Sequence, residues 1–251
     1  MSVIAFQSKR DVVTVSESGS ESYLHSQLSQ DIAGMVIGSS VLSLLLDPTG
    51  RVDALVRVTR VAQETFEVDV DSGFGDQVLA RLTRFKIRVK AELVLESRDC
   101  LSLRSDAEFD APVGVDVRPA WWMNGKSFDV FGADSLAGFS VADANAAESC
   151  RVRSGWPQMG REVTDAVLPA ELGVTGVAVS FKKGCYPGQE LVERMDSRGA
   201  RAPRVLCRVP ASTSIEGVEI TSVAGDVALA FVKRSIDAAS ISAFPVGPDL
   251  G

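Results

Sequence analysis

The chain has 251 residues, 45% of them hydrophobic and 24% charged, with 33 acidic against 26 basic side chains and a net charge of −7. This is the balance of a globular chain able to bury a sizeable core. The negative charge argues against nucleic acid or an anionic membrane surface as the main partner.

The opening residues, MSVIAFQSKRDVV, lack the basic start and apolar run of a signal peptide. The longest apolar run, VLSLLL at 41–46, falls far short of the roughly 20 residues a membrane helix needs. Cys100, Cys150, Cys185 and Cys207 form no CxxC pair, so neither a local metal site nor a disulfide scaffold is expected. Reduced thiols in a cytoplasmic protein are the expectation.

In chain order, VIAFQS (3–8) and VVTVSE (12–17) read as short strands. ESYLHSQLSQDIAGM (21–35) sets Leu24, Leu28 and Ile32 at four-residue steps, one face of a helix. VLSLLLDPTGRVDALVRVTR (41–60) reads as a hairpin turning at Pro48-Thr49-Gly50. TFEVDVD (65–71) alternates like a half-buried strand, SGFGDQVLARLTRF (72–85) reads as an amphipathic helix, and IRVKAELVLES (87–97) alternates again. DAPVGVDVRPAWW (110–122) reads as a connecting segment, VADANAAES (141–149) as a helix and GVAVSF (176–181) as a strand. GQELVERM (188–195) starts a helix. Beyond Pro203, VLCRVP, VEITSVAGDVALAFVKR and a tail ending AFPVGPDLG read as short strands with turns.

The stretch KKGCYPGQELVER (182–194) carries the chemistry. Cys185 sits between Gly184 and Gly188, after Lys182 and Lys183 and just ahead of a helix starting near Pro187. Unpaired amides at a helix start and nearby ammonium groups favour a thiolate. The plainer alternative is a small residue under a tight turn. A cysteine–histidine dyad would need His25, the sole histidine, from a helix distant in sequence. The GxxxxGK(S/T) spacing of a phosphate loop is absent.

KGCYPGQELVER resembles the KGC(Y/F)xGQExxxR signature of the YgfZ-type folate-binding proteins, relatives of the glycine-cleavage T-protein. Lys183, Gly184, Cys185, Tyr186, Gly188, Gln189, Glu190 and Arg194 occupy its positions. YLHSQLSQDI (23–32) is similar to the family's FLQxQLTNDV, with Asp31 on its aspartate. LLLDPTGRVDALVRV, LARLTRFKIRVKAEL and RVRSGWPQMGREV…LPAELG resemble LLxxxGRxxxxxRV, LxRYxLRxKVxI and RxxxGxPxxGxE…xPxExG.

The resemblance implies an α+β, T-protein-like arrangement: two intertwined α+β units around a central cleft and a short C-terminal β-barrel-like module. The expected division is residues 1–40 with 112–201, residues 41–111, and residues 202–251. It implies a tetrahydrofolate-binding accessory protein that supports iron–sulfur cluster assembly or repair in client proteins. Cys185 and Lys183 are then the functional core. Asp31, Arg153, Tyr186, Gln189, Glu190 and Arg194 are the folate-binding candidates, and Gly184 and Gly188 shape the motif backbone. Trp121 and Trp122 are further candidates to stack a ring. Two simpler roles stand beside these: Gln189 fixing the turn, and Glu190 pairing with Arg194 along the helix.

One departure bears on the alternative, a tetrahydrofolate-dependent aminomethyltransferase or other one-carbon transferase. The T-protein has RxExG, whereas this chain has Arg151-Val152-Arg153-Ser154-Gly155, with arginine in the glutamate slot. A cation there opposes a cationic aminomethyl intermediate and suits the folate carboxylates.

Overall fold

The computed structural model describes residues 3–122, 126–197 and 201–247. Its centre is a seven-stranded antiparallel sheet in the order β2-β3-β4-β1-β5-β7-β6. The strands are β1 Ile4–Ser16, β2 Ser40–Leu46, β3 Val52–Ala62, β4 Thr65–Asp71, β5 Glu92–Arg104, β6 Asp116–Pro119 and β7 Ser127–Phe131. Three helices attend them: α1 Ser20–Gln27, α2 Gly75–Phe85 and α3 Ala144–Ser154. One turn of helix, α4 Thr175–Ala178, and α5 Gln189–Ser197 carry the motif region. A second antiparallel sheet, β11-β8-β10-β9, comprises β8 Arg204–Pro210, β9 Val218–Ala224, β10 Val227–Lys233 and β11 Phe244–Pro245. The architecture is α+β, built on two antiparallel sheets. Residues 248–251 of the expected C-terminal strand lie outside the described residues.

Five expectations change. The two short N-terminal strands are one strand of 13 residues, because β1 pairs with β5 along its whole length. The helix expected to run to residue 35 ends at Gln27. There Ser29 N–H donates to Leu44 O and draws the chain onto β2, yet Leu28 and Ile32 stay buried. The segment 110–122 is more than a connection, because β6 pairs with β7 at the sheet edge. GVAVSF is no strand: it makes α4 and then an extended Val179, with Ser180 N–H bonded to Ser29 O. A short buried apolar run fits either conformation by pattern alone.

The hairpin stands where the breaker Pro48-Thr49-Gly50 puts it, and β4 and α2 where periodicity puts them. β5 starts at Glu92 rather than at Ile87, because Arg88 adopts a left-handed φ of 56°.

One face of the large sheet buries charge. Arg57 grips Asp69 through two bonds of 2.8 and 3.0 Å and donates to Asp129 at 2.8 Å. Arg10 reaches Asp69 at 2.8 Å, and Arg104 reaches Asp129 at 2.8 Å. Burial works against ionising Asp129, but Arg104, Arg57 and Arg10 override it and hold the carboxyl well below its usual range. Asp69 is shifted the same way: burial opposes its charge, while Arg57 and Arg10 favour it. Trp121, Trp122 and Trp156 close over this face, leaving a cavity of about 30 Å³.

Asp129→Ala strips two buried guanidinium groups of a partner, so a loss of about 3–5 kcal/mol is expected in urea unfolding at pH 7. Depressed carboxylate pKa values give stability that is present above the unfolded value near 3.9 and lost as pH falls through the folded one. The gap between wild type and variant therefore narrows as the pH is lowered from 5 toward 2.

Candidate functional site

The motif loop is fastened to the α1 end by its lysine. Lys183 Nζ donates to the carbonyl oxygens of His25 and, at 2.6 Å, of Leu28. Carbonyls at a helix C-terminus lack helical partners, and a cation complements that end of the dipole. The ammonium also stands 5.0 Å from the centroid of the buried Tyr186 ring. Burial, offset in part by Asp31 and Cys185, brings the Lys183 pKa down to about 8.

The turn into α5 is closed locally. Tyr186 N–H donates to Gln189 Oε1 at 3.0 Å, and Gln189 N–H donates to Tyr186 O. Gln189 thus takes the turn-fixing role.

Gly188 makes the tightest join. Its φ is 80°, and a Cβ there would lie 2.6 Å from Asp47 O and 2.8 Å from Gly50 Cα. Gly50, with φ of 89°, would in turn press a Cβ to 2.7 Å from Leu191 Cβ. Two glycine backbones therefore touch, seating the β2–β3 turn on the start of α5. Asp47 braces that turn by accepting from the N–H groups of Thr49 and Arg51 and from the Thr49 hydroxyl. Burial opposes its charge, yet these bonds outweigh it and hold the carboxyl below its usual range.

The join leaves an open groove of about 540 Å³. Pro48 and Thr49 form one wall, and Cys185, Tyr186, Gln189, Glu190 and Arg194 line the rest. Cys185, Glu190 and Arg194 are exposed. Cys100 and Cys207 are buried and Cys150 is partly so, which leaves Cys185 as the exposed cysteine. Burial pushes the Cys100 thiol up to about 12 and the Cys207 thiol up to about 11. The strand–helix junction expected for Cys185 is instead a helical turn, an extended link and then a helix.

The other sequence candidates are dispersed. Asp31 lies on the exposed turn after α1, where Oδ1 accepts from Ala33 N–H at 3.0 Å, and it contributes to the field at Lys183. Arg153 lies on α3 and pairs with Asp226 at 2.6 Å. It lines a separate depression with Arg208 and Phe244, not the Cys185 groove. Trp122 packs on Phe6 and under Arg104.

His25, which chain distance set aside, stands at the motif: its Nε2 is 3.9 Å from the position of a Cβ on Gly184. Its place on the helix of YLHSQLSQDI, with Asp31, was the signal available for finding it. Among the described residues, no three His, Cys, Asp or Glu side chains are grouped to hold a metal ion, and no helix is long and apolar enough to cross a membrane.

No family model matches the chain. It is 26% identical over 216 residues to a tRNA-modifying protein YgfZ of Enterobacter sp. (strain 638), covering 75% of this chain and 66% of that one. It is 31% identical over 157 residues to a mitochondrial iron–sulfur cluster assembly factor IBA57 homolog of Pyricularia oryzae, covering 57% of this chain and 40% of that one. The matches thus span less than two thirds of either relative. The crystal structure of aminomethyltransferase T of the glycine cleavage system from Bartonella henselae superposes with a TM-score of 0.73 at 18% identity. That match covers 93% of this chain and 79% of the other, and it establishes the fold.

Gly188→Ala combines a strained φ with a backbone clash, so it is expected to cost about 2 kcal/mol or more in thermal or urea unfolding. Gly184→Ala, which meets nothing closer than 3.9 Å, is expected to stay within about 1 kcal/mol of wild type.

Proposed function

We propose, from the premise that the chain is a YgfZ-type relative of the glycine-cleavage T-protein, that it is an accessory factor for iron–sulfur proteins. In this reading it binds reduced folate beside a working cysteine. The observation carrying the reading is the exposed Cys185 at the rim of a 540 Å³ groove lined by Tyr186, Gln189, Glu190 and Arg194.

Size favours the groove over the space at the buried arginines. Pockets for ligands of this class run from about 300 to 1,000 Å³, whereas the cavity over the buried arginines, at about 30 Å³, has room for roughly one water. The residues of the groove fit the ligand. The Glu190 carboxylate accepts from the pterin N–H edge, and the Arg194 guanidinium meets the acidic tail, the pairing for which its fork is suited. Asp31 extends the acceptor set from the turn after α1. When bound, reduced folate supplies nitrogens that carry one-carbon groups.

Cys185 is the residue offered to clients. In this reading the disulfide it forms is with a partner molecule, since it is the exposed cysteine among the described residues. Its sulfur can equally serve as a temporary iron ligand, with the remaining donors coming from the client. We assign no direct RNA contact, because a net charge of −7 works against a phosphate backbone.

The second reading, a tetrahydrofolate-dependent aminomethyltransferase, is favoured by the T-protein fold. Formation of methylenetetrahydrofolate from an aminomethyl carrier distinguishes it, and none is expected. Calorimetric titration with tetrahydrofolate is expected to show one site, weakened about tenfold by Arg194→Glu. Arg153→Glu is expected to leave it unchanged. Absence of binding by the wild type would defeat the folate reading.

A further inference from the structure

His25 has an unusual set of neighbours. The N–H groups of Ile32 and Ala33 both point at its Nδ1, at 3.4 and 3.3 Å. Peptide planes fix where those hydrogens lie. A proton on Nδ1 would collide with both, so Nδ1 must present its lone pair and the ring proton must sit on Nε2. Asp31 Oδ1, 3.3 Å from Nδ1, is an acceptor already supplied by Ala33 N–H. Burial and the Lys183 ammonium favour the neutral ring, against the opposing pull of Asp31 and Glu21. Nε2–H is therefore a donor whose direction the turn at 31–33 sets.

That donor lies beside Gly184. Unlike Gly188, Gly184 has no left-handed φ, and a Cβ on it would meet no atom within 4 Å except His25 Nε2, at 3.9 Å. Neither backbone conformation nor crowding explains a glycine there. What the missing side chain does is leave the imidazole N–H uncovered, one residue before Cys185.

We infer that a ligand oxygen docks between Gly184 and His25 Nε2–H, making His25 a ligand-positioning residue of the Cys185 site. The occupant is an acceptor oxygen, and the Lys183 ammonium in the ring's field favours that of a carboxylate. This rests on the folate-groove reading for the identity of the natural ligand, but not for the existence of the subsite. Gly184 precedes Cys185 in the chain, and Lys183 Nζ is bonded to the His25 carbonyl, so the gap borders the motif loop.

Because His25 is the sole histidine, nitrogen-15 spectra of histidine-labelled full-length protein report it without ambiguity. The neutral Nε2–H form is expected. Its Nε2 resonance is expected to move on adding tetrahydrofolate and, separately, formate, and Gly184→Val is expected to abolish the formate response. His25→Gln, which keeps a donor near the Nε2 position, is expected to bind tetrahydrofolate within about twofold of wild type. His25→Asn, which keeps only the inner position, is expected to weaken it about five- to tenfold.

An Nδ1–H tautomer would overturn the inference, as would an Nε2 resonance that neither probe moves. Tetrahydrofolate binding seen by calorimetry with His25 unmoved by both probes sinks the subsite and leaves the folate reading standing. A formate response without tetrahydrofolate binding does the reverse.

Discussion

Two glycines in contact hold the site together. Gly188 opens α5 and Gly50 ends the turn of the first long hairpin, and neither position admits a Cβ. A join of two backbones has no flexible side chain through which to slacken. It sets Pro48 and Thr49 opposite Cys185, Glu190 and Arg194, which makes an open loop and a helix start into a groove. Asp47, bonded to the amides of its own turn, keeps the hairpin tip in the shape this contact requires. The far end of the motif is held by a different device, the Lys183 ammonium on the last carbonyls of α1. Cys185 lies between the two anchors, exposed on a loop whose ends cannot move far.

The rest of the fold bears on why the candidate groove lies there and not at the middle of the sheet. One face of the large sheet is taken up by Arg10, Arg57 and Arg104 locked to Asp69 and Asp129, roofed by three tryptophans. Such a lattice is expensive to open, because withdrawing one partner leaves a buried charge behind. It therefore acts as a rigid floor. The cluster of Arg151, Glu162 and Ser222 plays a similar part at the outer end, tying α3 to the second sheet. Arg153, two residues from Arg151 and alike in the sequence, points instead to Asp226 and solvent.

Much of this could be read in the residues. Period-two alternation located β4, the breaker Pro48-Thr49-Gly50 between two apolar runs located the β2–β3 hairpin, and the amphipathic pattern of Val78, Leu79, Leu82 and Phe85 located α2. The KGCYPGQE stretch marked the loop that lines the candidate groove, and Gln189 fixes its turn. What was hidden depended on contacts distant in sequence. Nothing near Leu28 signals that Ser29 leaves the helix to bond Leu44. GVAVSF is apolar throughout and so carries no period. TFEVDVD read as half-buried because its acidic residues were given to solvent, whereas Glu67 and Asp69 are buried against arginines from other strands. His25 was set aside on chain distance, the quantity that a tight α1-to-motif junction erases.

The account turns on the sulfur at position 185 being the working group of the site. The most direct test is to replace the chromosomal copy with Cys185→Ser in the producing organism and follow an iron–sulfur enzyme during oxidative stress, with protein abundance as control. Because the side chain is exposed and isosteric, the variant should accumulate normally, and the enzyme's activity should fall to the level of a strain lacking the chain. Full activity with normal abundance would contradict the account.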